Sequence, residues 1–468
     1  MTVTDDRFAK MAPARAGRRR MIPAGELPPG PQWPPLLQSV GLIRFRHRFV
    51  PAMHRRYGDV FTVRIMPKGT ALVLFTRPEQ TKEIFAGDPE VFHAGKGNAI
   101  LGPIMGEHSL LLQDSAEHKR ARKLLMPAFH GPALRGYESV VTRLARDEVD
   151  RWTAGEQFRS LDRMNALTLE VILRVVFGVT DERRLARLRP LVNRTVDVSP
   201  VVLLGWGYPF LRRFGPWKAI VDTERALDDV IYAEIAERRT ATDLADRSDV
   251  LSRLLAVEGE EGLSDNELRD QLVTLLLAGH ETTATALAWT LYELGRDPRQ
   301  LARAQAAADA AEAADASDAS SAAGREYLEA VLKESMRLHP VIPMVARQLM
   351  EPATIGGIRL PPGTNVGPSI LLTHARPENH RDPEVFRPER FLSGEVATNT
   401  WIPFGGGVRR CIGAGFSIME GVAVLREVLR RYDVGLPHGA RDQPRVRNIT
   451  SVPKYGARIV VRPRGERM

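Results

Sequence analysis

One cysteine, Cys411, occurs in 468 residues. No intramolecular disulfide can form, and nothing marks an oxidising compartment. A zinc or iron–sulfur centre built from the chain's own thiolates is excluded as well, because either needs several Cys or a Cys/His cluster. Long hydrophobic runs are also missing: the N-terminus holds no apolar stretch long enough to span a bilayer. Arg18-Arg19-Arg20 has the form of a twin-arginine signal, but Met21-Ile22-Pro23-Ala24-Gly25-Glu26 follows, which is no hydrophobic h-region. No Gly-x-Gly-x-x-Gly fingerprint is present, so the chain carries no dinucleotide module of that kind. Acidic charge is in deficit: the net charge is +9 and the pI about 9.8. The basic residues are scattered through helical segments without an aromatic-interleaved stripe, which favours a solvated surface over nucleic-acid binding.

What remains is ordinary for a globular protein, with 43% hydrophobic and 26% charged residues. Residues 1–24 read as a disordered basic tail, and Leu27-Pro28-Pro29-Gly30-Pro31 stiffens the chain as it enters the fold. Asp59–Ile65 and Thr70–Phe75 are strand-like runs around Pro67-Lys68-Gly69. Pro78–Ala86 reads as a short helix, and 93–106, rich in glycine and small apolar groups, as a mobile loop. Helical periodicity dominates from Ala116 to about Leu294, broken at 195–217 by prolines and glycines. That broken segment is a core loop or a lid over an apolar pocket. Ser264-Asp265-Asn266-Glu267 is a capping box that opens the longest helix, which runs to about Asp297. The Ala/Asp/Ser tract at 304–324 reads as a surface helix or flexible linker. Short strands return after residue 350. The fold class is mainly α, with a minor sheet region.

Cys411 lies in Phe404-Gly405-Gly406-Gly407-Val408-Arg409-Arg410-Cys411-Ile412-Gly413. Glycines let backbone approach something large and flat. Ile418, Val422, Leu425 and Leu429 form the apolar stripe of a following helix. A thiolate at a helix N-terminus beside two arginines is expected to stay charged, and so to serve a soft or redox-active metal. A phosphate loop would place Lys and Ser/Thr where this chain has Cys-Ile-Gly. A single thiolate whose metal takes its other ligands from a cofactor fits best, and that cofactor would be haem.

Phe-x-x-Gly-x-Arg-x-Cys-x-Gly resembles the haem-binding loop of the cytochrome P450 family, with Phe404, Gly407, Arg409, Cys411 and Gly413 at the defined positions. Four further segments resemble that family in the same order along the chain. His118 and Arg122, i,i+4 on one helix face, match a pair that binds a haem propionate; Arg347 and Arg409 would assist. Ala278-Gly279-His280-Glu281-Thr282 matches the oxygen-activation motif, in which Glu281 and Thr282 relay protons. Glu334 and Arg337, with Arg390 of Pro388-Glu389-Arg390-Phe391, match a buried ion triad that braces the haem loop.

The resemblance implies one large domain over residues 25–468 holding haem b, with Cys411 as the axial iron ligand. It implies a monooxygenase that hydroxylates or epoxidises a hydrophobic substrate of lipid, terpenoid, steroid or polyketide-like type. Ala278, Ile342, Val345 and Ile449 would line the pocket. Electrons would come from NAD(P)H through a ferredoxin or flavodoxin and its reductase, docking near Arg409, Arg410 and Arg120. A cytoplasmic monomer without an anchor is expected. A peroxygenase, an isomerase or a haem sensor would not need the Glu281-Thr282 pair.

Overall fold

The computed structural model describes residues 27–465 except 67–68, 180, 197–208, 258, 260–261 and 312–318. The expected N-terminal tail and most of the 195–217 segment lie outside the described residues. Helices α1 (Pro35–Arg44) and α2 (Arg46–Tyr57) lead into the hairpin β1 (Val60–Ile65) and β2 (Thr70–Phe75), and α3 (Pro78–Ala86) follows. These match the expected strands and helix. Strand β3 is Phe92–His93. The helical body comprises α4 (Ser115–Leu125), α5 (Pro132–Val149), α6 (Ser160–Phe177), α7 (Glu182–Val196), α8 (Gly215–Arg239), α9 (Asp265–Arg296), α10 (Pro298–Ala311) and α11 (Ala319–Leu338). Strands β4 (Arg347–Leu349) and β5 (Asn365–Pro368), helix α12 (Ala414–Arg431) and the hairpin β6 (Pro444–Arg447) and β7 (Thr450–Pro453) complete the elements used below.

The main sheet has the order β1-β2-β5-β4-β3. Only the β2–β5 pair is parallel, with Leu72 opposite Asn365 and Phe75 opposite Pro368. This sheet stands beside the helices, so the expectation of a mainly helical fold with a small sheet region holds. The 32-residue helix α9 runs through the main core, and most of its residues are buried. Its N-terminus is the expected capping box: Glu267 N–H donates to Ser264 Oγ at 3.3 Å, and Ser264 N–H donates to Glu267 Oε2 at 2.8 Å.

One segment departs from expectation. Residues 94–105 form three short helical turns rather than a loop. Gly95 is there for close packing, since a Cβ would stand 1.9 Å from the Leu112 carbonyl oxygen. The Gly95 and Lys96 N–H groups donate to the Asp114 carboxylate at 2.8 and 3.1 Å. The described residues of the Ala-rich tract are helical, in α10 and α11, with one face exposed and the other packed between the two helices. Ala304, Ala308 and Ser321 are fully buried. A Cβ on Gly324 would meet the Ala307 carbonyl oxygen at 2.5 Å, so small side chains set how closely the two helices approach.

The ion cluster of α11 forms as expected and is almost wholly enclosed. Arg337 Nε donates to Glu334 Oε2 at 2.8 Å and Arg390 Nε to Glu334 Oε1 at 3.0 Å. Arg387 N–H donates to the same oxygen at 2.9 Å. The guanidinium of Arg337 also donates to the His374 carbonyl at 3.1 Å, and that of Arg390 to the Arg381 carbonyl at 3.1 Å. The charges therefore have the hydrogen-bonding partners that burial demands. Burial pushes the Arg390 pKa below its ordinary value, while Glu334 pulls it back. Arg337→Ala would strand Glu334 beside a single cation. It should lower unfolding free energy by about 3–5 kcal/mol in chemical denaturation; a loss under about 1 kcal/mol would mean that the cluster does not stabilise the fold.

Candidate functional site

The loop before α12 is drawn tight by its own backbone. Gly405 N–H donates to the Ile402 carbonyl at 3.0 Å, Arg410 N–H to Gly407 at 3.1 Å, and Cys411 N–H to Phe404 at 2.9 Å. Gly405 and Gly407 take φ +66° and +65°, where a side chain is strained. Gly407 has a second requirement: a Cβ would lie 1.9 Å from the Phe85 carbonyl oxygen, and one on Gly406 would lie 2.2 Å from the Phe85 ring. The loop is thus seated on the end of α3. It is also tethered to the ion cluster, because Ile402 N–H donates to His374 Nε2 at 2.9 Å while the His374 carbonyl holds Arg337. Burial, with the neighbouring cations, keeps His374 well below its ordinary pKa, so its imidazole is neutral and free to accept. Phe404 packs edge-on against Trp401, with ring centroids 5.9 Å apart.

Cys411 keeps accessible surface, two residues before the Gly413 N-cap. Opposing influences act on its sulfur. Although the residue keeps accessible surface, the density of protein around the sulfur raises the thiol above its ordinary pKa; the Gly413 N–H, Arg122 and Arg410 oppose this. A bound metal cation would favour the thiolate further.

A cationic cluster stands next to the loop. His118, Arg347 and Arg409 line one small pocket with Asp114, Phe85 and Gly406. Arg409 donates to the carbonyls of Gln113 at 2.6 Å and of Leu110 and Leu111 at 3.2 Å each. Arg347 donates to the Ala346 carbonyl at 2.8 Å. Burial presses His118 down to about 3, helped by Arg409 and Arg122, and presses Arg347 and Arg409 to about 10. Arg122 is lowered by burial and raised by Cys411. Asp114 faces this group, with Oδ1 3.9 Å from Arg409 Nη1. Several desolvated cations facing one another suit a ligand bearing carboxylates.

On α9, Ala278 and Thr282 retain accessible surface midway along a helix whose flanking turns are buried. Thr282 Oγ1 donates to the Ala278 carbonyl at 2.7 Å. Gly279 admits α6, since a Cβ would lie 2.7 Å from Ile172 Cδ1. Next to it, Thr168 Oγ1 of α6 donates to the His280 carbonyl at 3.0 Å. His280 is a satisfied core histidine, with Nδ1 2.9 Å from the Leu276 carbonyl and a pKa lowered by burial to about 4. Glu281 is buried. Its Oε1 lies 3.3 Å from Arg447 Nε and 3.4 Å from Thr450 Oγ1. Thr283 Oγ1 reaches Ser417 Oγ of α12 at 3.1 Å, and beside it burial raises the Glu420 carboxyl to about 8, with Thr283 drawing it down.

Of the expected pocket residues, Ala278 is exposed, Ile342 and Val345 are half-buried against the sheet-side core, and Ile449 is exposed at the β6–β7 turn. Arg409 is largely buried, and Arg120 is committed to Glu267 and the Gly262 carbonyl at 2.7 Å each. Of the three arginines expected at a docking face, Arg410 is therefore the exposed one. Thr168, Glu420, Arg447 and Thr450 escaped the sequence motifs; a hydroxyl or charge with no local partner was their only signal.

A thiol, a glycine cradle, a carboxylate-seeking cationic cluster and an accessible patch on α9 fit haem. The comparisons with known proteins agree. The family model for cytochrome P450 matches residues 28–459. A putative cytochrome P450 135A1 from Mycobacterium tuberculosis is 51% identical over 443 residues, covering 93% of this chain and 95% of the relative. A putative cytochrome P450 135B1 from Mycobacterium bovis is 42% identical over 438 residues, covering 93% and 91%. Among solved structures, a retinoic acid-bound cyanobacterial CYP120A1 superposes with TM-score 0.83 at 23% identity, covering 94% of this chain and all of that one. The fold is that of the haem-thiolate monooxygenases. The chain belongs to the cytochrome P450 family.

Glu420 makes stability depend on pH in a direction that can be worked out. Its folded pKa of about 8 stands above its ordinary 4.5. The folded state therefore holds the proton more tightly, and the contribution is fully present below 4.5. It fades as pH rises toward 8, by up to about 5 kcal/mol. The stability difference between wild type and Glu420→Gln, followed by denaturation from pH 5 to 8.5, should shift steadily toward the variant. A difference that stays constant across that range would refute the buried neutral acid.

Proposed function

We propose that this monooxygenase binds haem b through Cys411 and oxidises a hydrophobic organic substrate by hydroxylation or epoxidation. When bound, haem supplies the iron that activates dioxygen, so that one oxygen atom enters the substrate and the other leaves as water. Phe404, Gly407 and Gly413 would shape the loop that presents Cys411. His118, Arg122, Arg347 and Arg409 would hold the propionates, and such an anion would draw the His118 imidazole back toward its protonated form. Glu281 and Thr282 would hold and pass protons. The Thr282 hydroxyl would turn from the Ala278 carbonyl to do so. Glu334, Arg337 and Arg390 would keep the loop rigid from behind.

The observation that carries this proposal is the convergence of the Cys411 loop and the cationic cluster at α3 and α4. Ala278, Ile342, Val345 and Ile449 are apolar, which supports a lipid, terpenoid, steroid or polyketide-like substrate. Two electrons would come from NAD(P)H through a ferredoxin or flavodoxin and its reductase; the exposed Arg410 suits an acidic partner.

Reduced protein under carbon monoxide should show the red-shifted Soret band of thiolate ligation, and Cys411→Ala should lose it. Retention of that band by the variant would refute the ligand assignment. Thr282→Ala should keep the band and divert electrons to peroxide. An unchanged product yield per NAD(P)H, measured with any turned-over compound, would remove Thr282 from the relay.

A further inference from the structure

Glu281 sits on α9, but its observed partners come from the C-terminal hairpin. Arg447 closes β6 and Thr450 opens β7. Between them, Asn448 takes φ +52°, which turns the chain within two residues. That turn is gripped from outside by α2. Arg46, itself buried, donates to the Ile449 and Asn448 carbonyls at 2.8 and 2.9 Å. His47 Nε2 lies 2.9 Å from Ser451 Oγ, and Ser451 N–H donates to the Val341 carbonyl at 2.8 Å. With its outer side pinned, the hairpin offers its inner side to α9. Arg447 Nε stands 3.3 Å from Glu281 Oε1, with side-chain exposures of 22% and 6%. Thr450 Oγ1, 2.6 Å from the Arg447 carbonyl, is 3.4 Å from the same carboxylate oxygen.

We propose that Arg447 is a positioning residue for the reaction: it fixes the Glu281 carboxylate against the β6–β7 hairpin and so governs delivery of protons by Glu281 to the Thr282 side of α9. This rests on the relay role proposed above for Glu281. The physical grounds are local. A carboxylate in a buried helix turn has several rotamers, and an ion pair with a pinned strand selects one of them. The neighbouring Thr282 hydroxyl is bonded to Ala278, so the acid and the alcohol begin on separate partners. Held in that rotamer, the carboxylate is presented to the Thr282 side of the helix, whereas without Arg447 it would spread over several rotamers. The clamp on Asn448 and Ile449 ties this pair to a turn whose Ile449 side chain is exposed, about a hundred and seventy positions away in sequence from the acid it controls.

The test uses the haem-loaded protein as a two-residue cycle of Arg447→Gln, Glu281→Gln and the double variant, with Arg447→Lys as the conservative control. Two readouts are needed. Backbone hydrogen exchange over 444–453 should rise severalfold in either single variant, with no further rise in the double, because both remove one interaction. Oxygen uptake driven by NADPH through a surrogate ferredoxin and its reductase, in H2O and in D2O, should slow by the same factor in both single variants. Both should show an enlarged solvent isotope effect, which Arg447→Lys partly restores. If Arg447→Gln leaves uptake and isotope effect at wild-type values while Glu281→Gln changes them, the inference is overturned and the relay role stands. Effects that multiply in the double variant overturn it as well. If Glu281→Gln is itself silent, the relay role falls and takes the inference with it.

Discussion

The glutamate at 334 is fully buried and accepts from two guanidinium groups and one backbone N–H. A charge so enclosed is tolerable only if every lone pair is used, so the segments that supply the donors cannot drift. Arg337 carries the constraint to the His374 carbonyl, and the His374 ring carries it to Ile402, three residues before the glycine run. From the other side, Gly406 and Gly407 leave no room between the loop and Phe85. The Cys411 loop is therefore clamped between an ion cluster and a helix end. Such preorganisation is what a ligand loop needs, because a metal gains little from a thiol that must first be brought into place.

Electrostatics around the loop are frustrated in the protein alone. His118, Arg122, Arg347 and Arg409 are pushed toward neutrality by burial and by one another. Proteins rarely gather desolvated cations without an anion to receive them. Glu281 and Glu420 are handled differently although both are buried acids on or against α9. Glu281 has a guanidinium partner, whereas Glu420 has a hydroxyl and stays protonated near neutral pH. One helix thus carries an ionic carboxylate on one side and meets a neutral carboxyl on another.

Much of this was legible in the chain. The capping box, the β1–β2 hairpin and α3 follow from local signals, and the motif residues of the loop and of α11 occupy the places expected for them. Where expectation failed, a tertiary contact had changed the meaning of a residue type. Glycine at 95 was read as looseness, but it marks close approach to Leu112. Arg409 and Arg120 looked like docking charges until carbonyls and Glu267 were found to occupy them. Arg447 and Thr450 carry no motif at all; only the pairing of β6 with β7 brings them to Glu281.

The raised thiol has a consequence for how the protein acquires its cofactor. A protonated Cys411 must shed a hydrogen ion when iron binds, so loading is a proton-releasing equilibrium. Below the thiol's own pKa the apparent affinity should climb about tenfold for each pH unit. Acid therefore opposes ligation through the same sulfur that makes it.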